Sequence, residues 1–313
     1  YVDSETMKHT EVRELCSEWL CMQALEQLDF EAFLRNKGWS EAKIKAAISL
    51  LVTRTIYTPS ELKSTRIMED NSGVCELVYG SQDIRPGYKM VYKVAPELYK
   101  IKAKLERHLC SVTDTLFNRQ NRIVLFDLTN FYFESRKDNS RKAKFGRSKE
   151  KRNDCKLLVL ALCINTDGFI RYSSILEGNT ADPKSLPHMI ENLIAENPLE
   201  SDHDEKILVV IDAGIATEEN LELIKSKGYN YLCVSRRRLT DYELNGDGRT
   251  VVVHDCKERE IRLSEIRHDD GGDYYLRVDS PMKALKESSM NRQFRERFET
   301  ELQKAKDSLG KRG

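Results

Sequence analysis

No stretch of this 313-residue sequence approaches the ~18 consecutive apolar residues that a membrane-crossing helix needs. No charged-then-apolar leader pattern opens it either, so the reading is a soluble, cytoplasmic protein. C-x-x-C pairs are missing. The eight cysteines are scattered, which fits reduced thiols better than a disulfide framework or a zinc site. The six histidines, at positions 9, 108, 188, 203, 254 and 268, show no metal-ligand spacing, and no cysteine has a nearby basic partner in a pattern that marks a nucleophile. Net charge is absent too: 51 basic residues balance 51 acidic ones. Wholesale electrostatic capture of a polyanion is therefore excluded, and any nucleic-acid contact must come from local patches. There is no internal repeat and no low-complexity tract. What is present is 40% hydrophobic residues, enough for a sizeable core, in a chain longer than the usual ~100–200 residues of one domain.

Residues 1–120 read as a helical N-terminal region. Glu11 to Leu34 carries apolar residues at three- and four-residue spacing; Gly38 ends that element and Ser40 caps the next. Thr58-Pro59-Ser60-Glu61 reads as a start signal with Thr58 as cap and Glu61 closing a capping box. A longer helix is expected after Pro96. From Arg122 the period changes. Ile123 to Phe126 is a short apolar run, the composition of a strand buried on both faces, and Asp127 stands where it ends. Two strands, Leu157 to Ile164 and Phe169 to Leu176, flank an Asp167-Gly168 turn. A helix follows Asp182-Pro183, then a second apolar strand delivers Asp212, and a helix capped by Thr217 leads into a strand from Tyr229. This order gives a mixed sheet with helices packed on it, α/β or α+β, over 121–235. Short strands and turns fill 236–283, with turns at Asn245–Gly248 and Asp270–Gly272, and a charged helix fills 284–313.

Two strands that each end in an aspartate carry most of the functional signal. A charge at the end of a buried strand is costly unless it is paired or holds a metal. If the strands are neighbours, Asp127 and Asp212 repel one another unless a divalent cation neutralises them. Hard oxygen ligands select Mg²⁺ or Mn²⁺. Singly, either aspartate reads better as a turn or cap residue; it is the repetition, with a basic stretch after the first, that points to a site. Between the first aspartate and the hairpin lies a basic stretch, Arg136 to Arg152. Its nine Lys and Arg against Asp138 and Glu150 give net +7. Such a run is either a solvated loop or a contact for a phosphate backbone, with Lys142, Lys144, Arg147, Lys149 and Arg152 as the candidate DNA-binding residues. Phe131, Tyr132 and Phe133 read as packing residues.

At these residues the sequence resembles the DDE transposases of bacterial insertion sequences, in the branch with a β-rich insertion. The resemblance is carried by Phe126-Asp-Leu-Thr-Asn-Phe-Tyr-Phe-Glu134, Gly146-Arg-Ser-Lys-Glu-Lys-Arg-Asn-Asp154, Leu158 to Gly168, Leu176-Glu-Gly-Asn-Thr180 and Val209-Val-Ile-Asp-Ala-Gly-Ile215. It implies a ribonuclease-H-like core with Asp127 and Asp212 as catalytic, metal-holding carboxylates. It implies Mg²⁺- or Mn²⁺-dependent hydrolysis at transposon ends and strand transfer into target DNA, on double-stranded DNA and as a homodimer. The family's third carboxylate, a glutamate in a Tyr-x2-Arg-x3-Glu-x6-Lys pattern, has no full counterpart. Around Arg292 and Glu296 the tyrosine is absent and Gln303 stands in place of the lysine. Glu296 is accordingly read as a surface residue. The chain opens on Tyr1 and stops just after a helical pattern, so it is expected to be cut at one or both ends, with the true glutamate beyond Gly313 and little activity of its own. Two alternatives stay open: a non-catalytic DNA-binding protein derived from the fold, and another metal-dependent nuclease with the same core.

Overall fold

Apolar residues facing nearly every direction around one helix set the architecture of the N-terminal region. In the computed structural model, which describes residues 12–13, 15–70, 72–117, 123–134, 138–147, 152, 154–196, 206–235, 242–244, 250–267 and 272–309, that helix is α3 (Glu41–Tyr57). It buries Ile44, Ala46, Ala47, Ile48, Leu50 and Val52. Around it lie α1 (Cys16–Gln27), α2 (Phe30–Asn36), α4 (Glu61–Asp70), α5 (Val74–Tyr79) and α6 (Tyr88–Lys100). Their core includes Phe30, Leu34, Met68, Val74, Val91 and Val94. The expected Glu11–Leu34 helix is two helices, because Asp29 adopts φ 49° and breaks the run. The start signal at 58–61 also shifts. Thr58 sits in the left-handed region (φ 49°) as the residue ending α3, and it is the Ser60 hydroxyl that accepts the Lys63 N–H at 3.3 Å. Pro96 lies inside α6 rather than before a helix. It is on the exposed side, where the lost hydrogen bond leaves a carbonyl to water.

A last N-terminal helix, α7 (Lys102–Phe117), fastens this cluster to the sheet. His108 stacks on Phe33 with ring centroids 4.6 Å apart and reaches the Leu28 carbonyl at 2.8 Å. On the other side the Lys102 ammonium donates to the Ser173 carbonyl, and the Ser173 hydroxyl donates to Glu106. Arg171, 4% exposed, meets both Asp114 carboxylate oxygens at 2.8 Å. Arg171 is buried and Asp114 partly so; truncating one member of a fully buried pair costs roughly 3–5 kcal/mol, which sets the upper end here. Asp114→Ala is therefore expected to lower unfolding stability by about 3 kcal/mol in urea titration; a loss below about 0.5 kcal/mol, the level of an ordinary surface substitution, would show the pair to be solvated.

The sheet has strand order β3-β2-β1-β4-β5, from β1 (Ile123–Tyr132), β2 (Leu157–Asn165), β3 (Ile170–Glu177), β4 (Leu208–Ile211) and β5 (Asn230–Cys233). Only β2 runs against the others: it is antiparallel to β1 and β3, while β4 is parallel to β1 and β5 to β4. This is the mixed sheet with helices packed on it that the order of elements predicts. One face is packed. Val124, Phe126, Leu128, Val159, Ala161, Cys163, Val209 and Ile211 bury against α8 (Leu186–Glu196), α9 (Glu218–Ser226) and Ile215. A 3-10 turn, Asp182–Ser185, leads into α8, and the Thr217 side chain caps α9 by accepting the Asn220 N–H. Gly168 at φ 88° makes the expected hairpin turn between β2 and β3.

Two details of β1 correct the sequence reading. The strand does not stop at Asp127 but continues to Tyr132, and it is buried on one face only. Ile123 and Leu125, on the other face, are 38% and 37% exposed.

The chain divides into two compact units, Tyr1–Arg236 and Arg237–Gly313. In the second, β8 (Glu260–Arg267) is the central strand, pairing antiparallel with β6 (Glu243–Leu244), β7 (Thr250–His254) and β9 (Tyr275–Asp279). The β-rich segment expected after the core is thus present. The turn at 245–248 lies outside the described residues. A 29-residue helix, α10 (Pro281–Leu309), follows. Among the described residues no helix is long and apolar enough to cross a membrane.

Candidate active site

The register of two parallel strands builds the site. Phe126 on β1 is paired with Ile211 on β4, and both side chains are buried in the same core. Successive side chains alternate faces, so Asp127 and Asp212, one residue further on, emerge together on the opposite face. Neighbouring strands lie ~4.8 Å apart, so the chain positions of Asp127 and Asp212 leave the paired strands next to one another. β4 ends at Ile211 while β1 runs on, paired only with β2. The carboxylates therefore stand in a notch at the C-terminal end of β4, where parallel sheets hold ligands.

Both aspartates are exposed, so burial does not demand that a metal neutralise them, contrary to the cost expected for a charge ending a buried strand. Asp127 Oδ1 accepts the Leu128 N–H at 2.7 Å, and Asp212 Oδ2 accepts the Gly214 N–H at 3.2 Å. Among the described residues the other oxygen of each has no partner, and neither aspartate forms an ion pair. Two adjacent carboxylates without a cationic neighbour suit a hard divalent cation. A third acid, Asp182, stands close by. A Cβ placed on Gly214 would lie 3.3 Å from Asp212 Oδ2 and 3.5 Å from Asp182 Oδ2. In the sequence Asp182 stands simply before a helix; nothing local to it signals that the fold sets it beside Asp212. Among the described residues no three His, Cys, Asp or Glu side chains are grouped to hold a metal ion. Glu296 is exposed on α10.

The basic stretch is anchored. Where β3 leaves the edge of β2, residue Lys144 takes its place: Lys144 and Leu157 exchange N–H···O bonds of 3.2 and 2.7 Å. Gly178 N–H donates to the Lys142 carbonyl at 3.1 Å, Asn130 Nδ2 donates to the Arg147 carbonyl at 2.9 Å, and Ala143 is buried. Residues 142–147 are thus held at the end of the sheet toward which β1 runs from Asp127. Their side chains divide. The Lys142 ammonium donates to the Ile175 carbonyl at 2.6 Å. Arg152 forms a two-pronged pair with Asp154 at 2.8 and 2.9 Å and lies over the Tyr132 ring, which holds the Asp154 carboxyl far below its ordinary value. Lys144 and Arg147 are exposed, with side chains unpaired among the described residues. Lys149, with Arg136, Lys137 and Lys151, lies outside the described residues.

No protein-family model matches the sequence, and no curated protein matches it. Among solved structures, the chain is similar to the Mos1 transposase paired-end complex with the left transposon end, at 14% identity and TM-score 0.25. It is similar also to a pre-cleavage Mos1 transpososome, at 12% identity and TM-score 0.26. Each match covers 56% of this chain and 58% of the other, so the chain spans little more than half the length of those proteins. Similarity of that degree adds nothing to the strand order and register described above.

Proposed function

We propose that this chain holds two carboxylates of a divalent-metal site that cuts and joins double-stranded DNA in transposition, in the manner of the bacterial insertion-sequence enzymes its motifs resemble. The observation that supports the reading is the pairing of Phe126 with Ile211, since each strand supplies an aspartate as its next residue. Asp127 and Asp212 would hold Mg²⁺ or Mn²⁺; bound there, the ion supplies charge neutralisation and activation of water or a 3′-hydroxyl toward the phosphodiester. The chain's own residues do the positioning. Buried Phe126 and Ile211 fix the two strands, and the Leu128 and Gly214 amides orient one oxygen of each carboxylate. Lys144 and Arg147, on the anchored segment, offer charge to the phosphates flanking the reacting one. Two such units acting together on paired transposon ends complete the proposal.

The test is Mn²⁺ binding followed by electron paramagnetic resonance. The chain should bind the ion, and Asp127→Asn combined with Asp212→Asn should abolish binding. Unchanged binding by the double variant would overturn the site assignment. The product decides between this reading and a simple nuclease: joining of a 3′-end to target DNA against hydrolysis alone. Glu296→Ala should leave the products unchanged; if it abolishes them, Glu296 is the third carboxylate.

A further inference from the structure

A second cationic surface lies on α6, outside the notch and outside the basic stretch. Burying Val91 and Val94 turns the opposite side of α6 to solvent. There Tyr88, Tyr92 and Tyr99 are 57%, 50% and 52% exposed. They recur at i, i+4 and i+11 and so share one ridge. Lys89, Lys93 and Lys100, each one position later, form an exposed ridge beside it. The one acidic residue of the helix, Glu97, is already satisfied: it meets Lys43 at 2.9 Å and Lys100 at 2.7 Å, which hold its carboxyl down at about 2. Lys89 and Lys93 have no ion-pair partner among the described residues. Lysines four positions apart lie ~6 Å apart along the axis, near two nucleotide steps of ~3.4 Å. Half-exposed tyrosines beside such a ridge present a flat apolar ring and a hydroxyl, suited to sugar edges and phosphate oxygens.

We infer that the exposed face of α6 binds the phosphate backbone of duplex DNA, with Lys89 and Lys93 as charge contacts and Tyr88 and Tyr92 packed beside them. The inference rests on the DNA-processing reading for its partner, but not on the metal site. α6 belongs to the helical cluster that α7 fixes to β3, so this surface is held at a set place relative to the notch.

Fluorescence anisotropy with a labelled 30-base-pair duplex, without metal and across a salt series, tests it. Lys89→Gln with Lys93→Gln should reduce the slope of log affinity against log salt by about 2, near 0.9 for each lost phosphate contact. Tyr88→Ala with Tyr92→Ala should weaken binding at every salt concentration while leaving the slope as it was. Both pairs are exposed, so unfolding midpoints should be unchanged, which separates lost contact from lost fold. An unchanged slope for the lysine pair overturns the inference, as does loss of binding to vesicles of anionic lipid where duplex affinity is unaffected. Asp127→Asn with Asp212→Asn should leave metal-free duplex affinity intact. Failure of the metal site and failure of the α6 contact are therefore read in different experiments.

Discussion

Asp127→Asn is expected to reduce the proposed Mg²⁺-dependent cutting of transposon-end DNA by about 10³-fold or more. That is the several kcal/mol of charge stabilisation that a bound divalent ion supplies to a transferring phosphate. The variant is close to isosteric. An asparagine oxygen can still accept the Leu128 N–H that Asp127 Oδ1 accepts at 2.7 Å, so the strand should keep its course. Because Asp127 is exposed, metal-free stability should change by no more than about 0.5 kcal/mol. Relief of repulsion from Asp212 makes a small gain the expected sign. Added Mn²⁺ should raise the melting temperature of the unsubstituted protein and not that of the variant, since only a ligand bound to the native state stabilises it. Asp182→Asn discriminates further. If Asp182 merely borders Gly214, its substitution should cost far less activity than either member of the pair. Equal losses at all three positions would make it a ligand. Retained cutting by Asp127→Asn would remove the aspartate pair from the chemistry.

How much of this was legible beforehand depends on the range of the interaction responsible. The strands of the core announce themselves through apolar runs, and the hairpin turn through Asp167-Gly168, because both are local. The end of β1 was misplaced for a physical reason. A charge reads as the end of a strand buried on both faces, whereas Asp127 lies on an exposed face, where an aspartate costs nothing and pairing with β2 continues through Asn130 and Tyr132. The apolar run Ile123 to Phe126 could not show which of its two faces is covered. The same limit hid the caps. Thr-Pro-Ser-Glu offers two hydroxyls, and only the left-handed turn at Thr58 hands the role to Ser60. The site itself was half legible. Each aspartate was visible as the residue after an apolar run, but their adjacency is a property of strand register, set by residues distant in sequence. Asp182 was invisible as a neighbour of Asp212 because its own surroundings, Ala181-Asp182-Pro183, look like an ordinary helix start. The basic stretch was readable as charge and not as structure; its pairing to Leu157 is a long-range backbone contact that charge patterning does not encode.

That contact leads to the second large effect, at Gly178. A Cβ there would lie 2.2 Å from the Leu157 carbonyl oxygen and 2.6 Å from the Lys144 carbonyl oxygen, both backbone atoms. Neither can step aside freely, because Lys144 and Leu157 are hydrogen-bonded to each other and Gly178 N–H is bonded to the Lys142 carbonyl. Gly178→Ala should therefore pull residues 142–147 from the end of the sheet, at about 1–3 kcal/mol of overpacking. Three measurements follow one another. Urea unfolding should show the loss, trypsin should cut after Lys142 or Lys144 under conditions where the parent resists, and duplex affinity should fall because Lys144 and Arg147 lose their fixed positions. Gly146→Ala attacks the same junction from the opposite side, its Cβ falling 2.0 Å from the Gly178 carbonyl oxygen. Once one substitution has freed the segment, the second has nothing left to displace. The double variant should thus lose clearly less stability than the sum of the two single losses, the sign of coupling expected for residues sharing one contact. Additive losses would mean that the segment yields piecemeal and does not move as one anchored unit, and unaltered trypsin resistance in Gly178→Ala would mean that the backbone there adapts without releasing it.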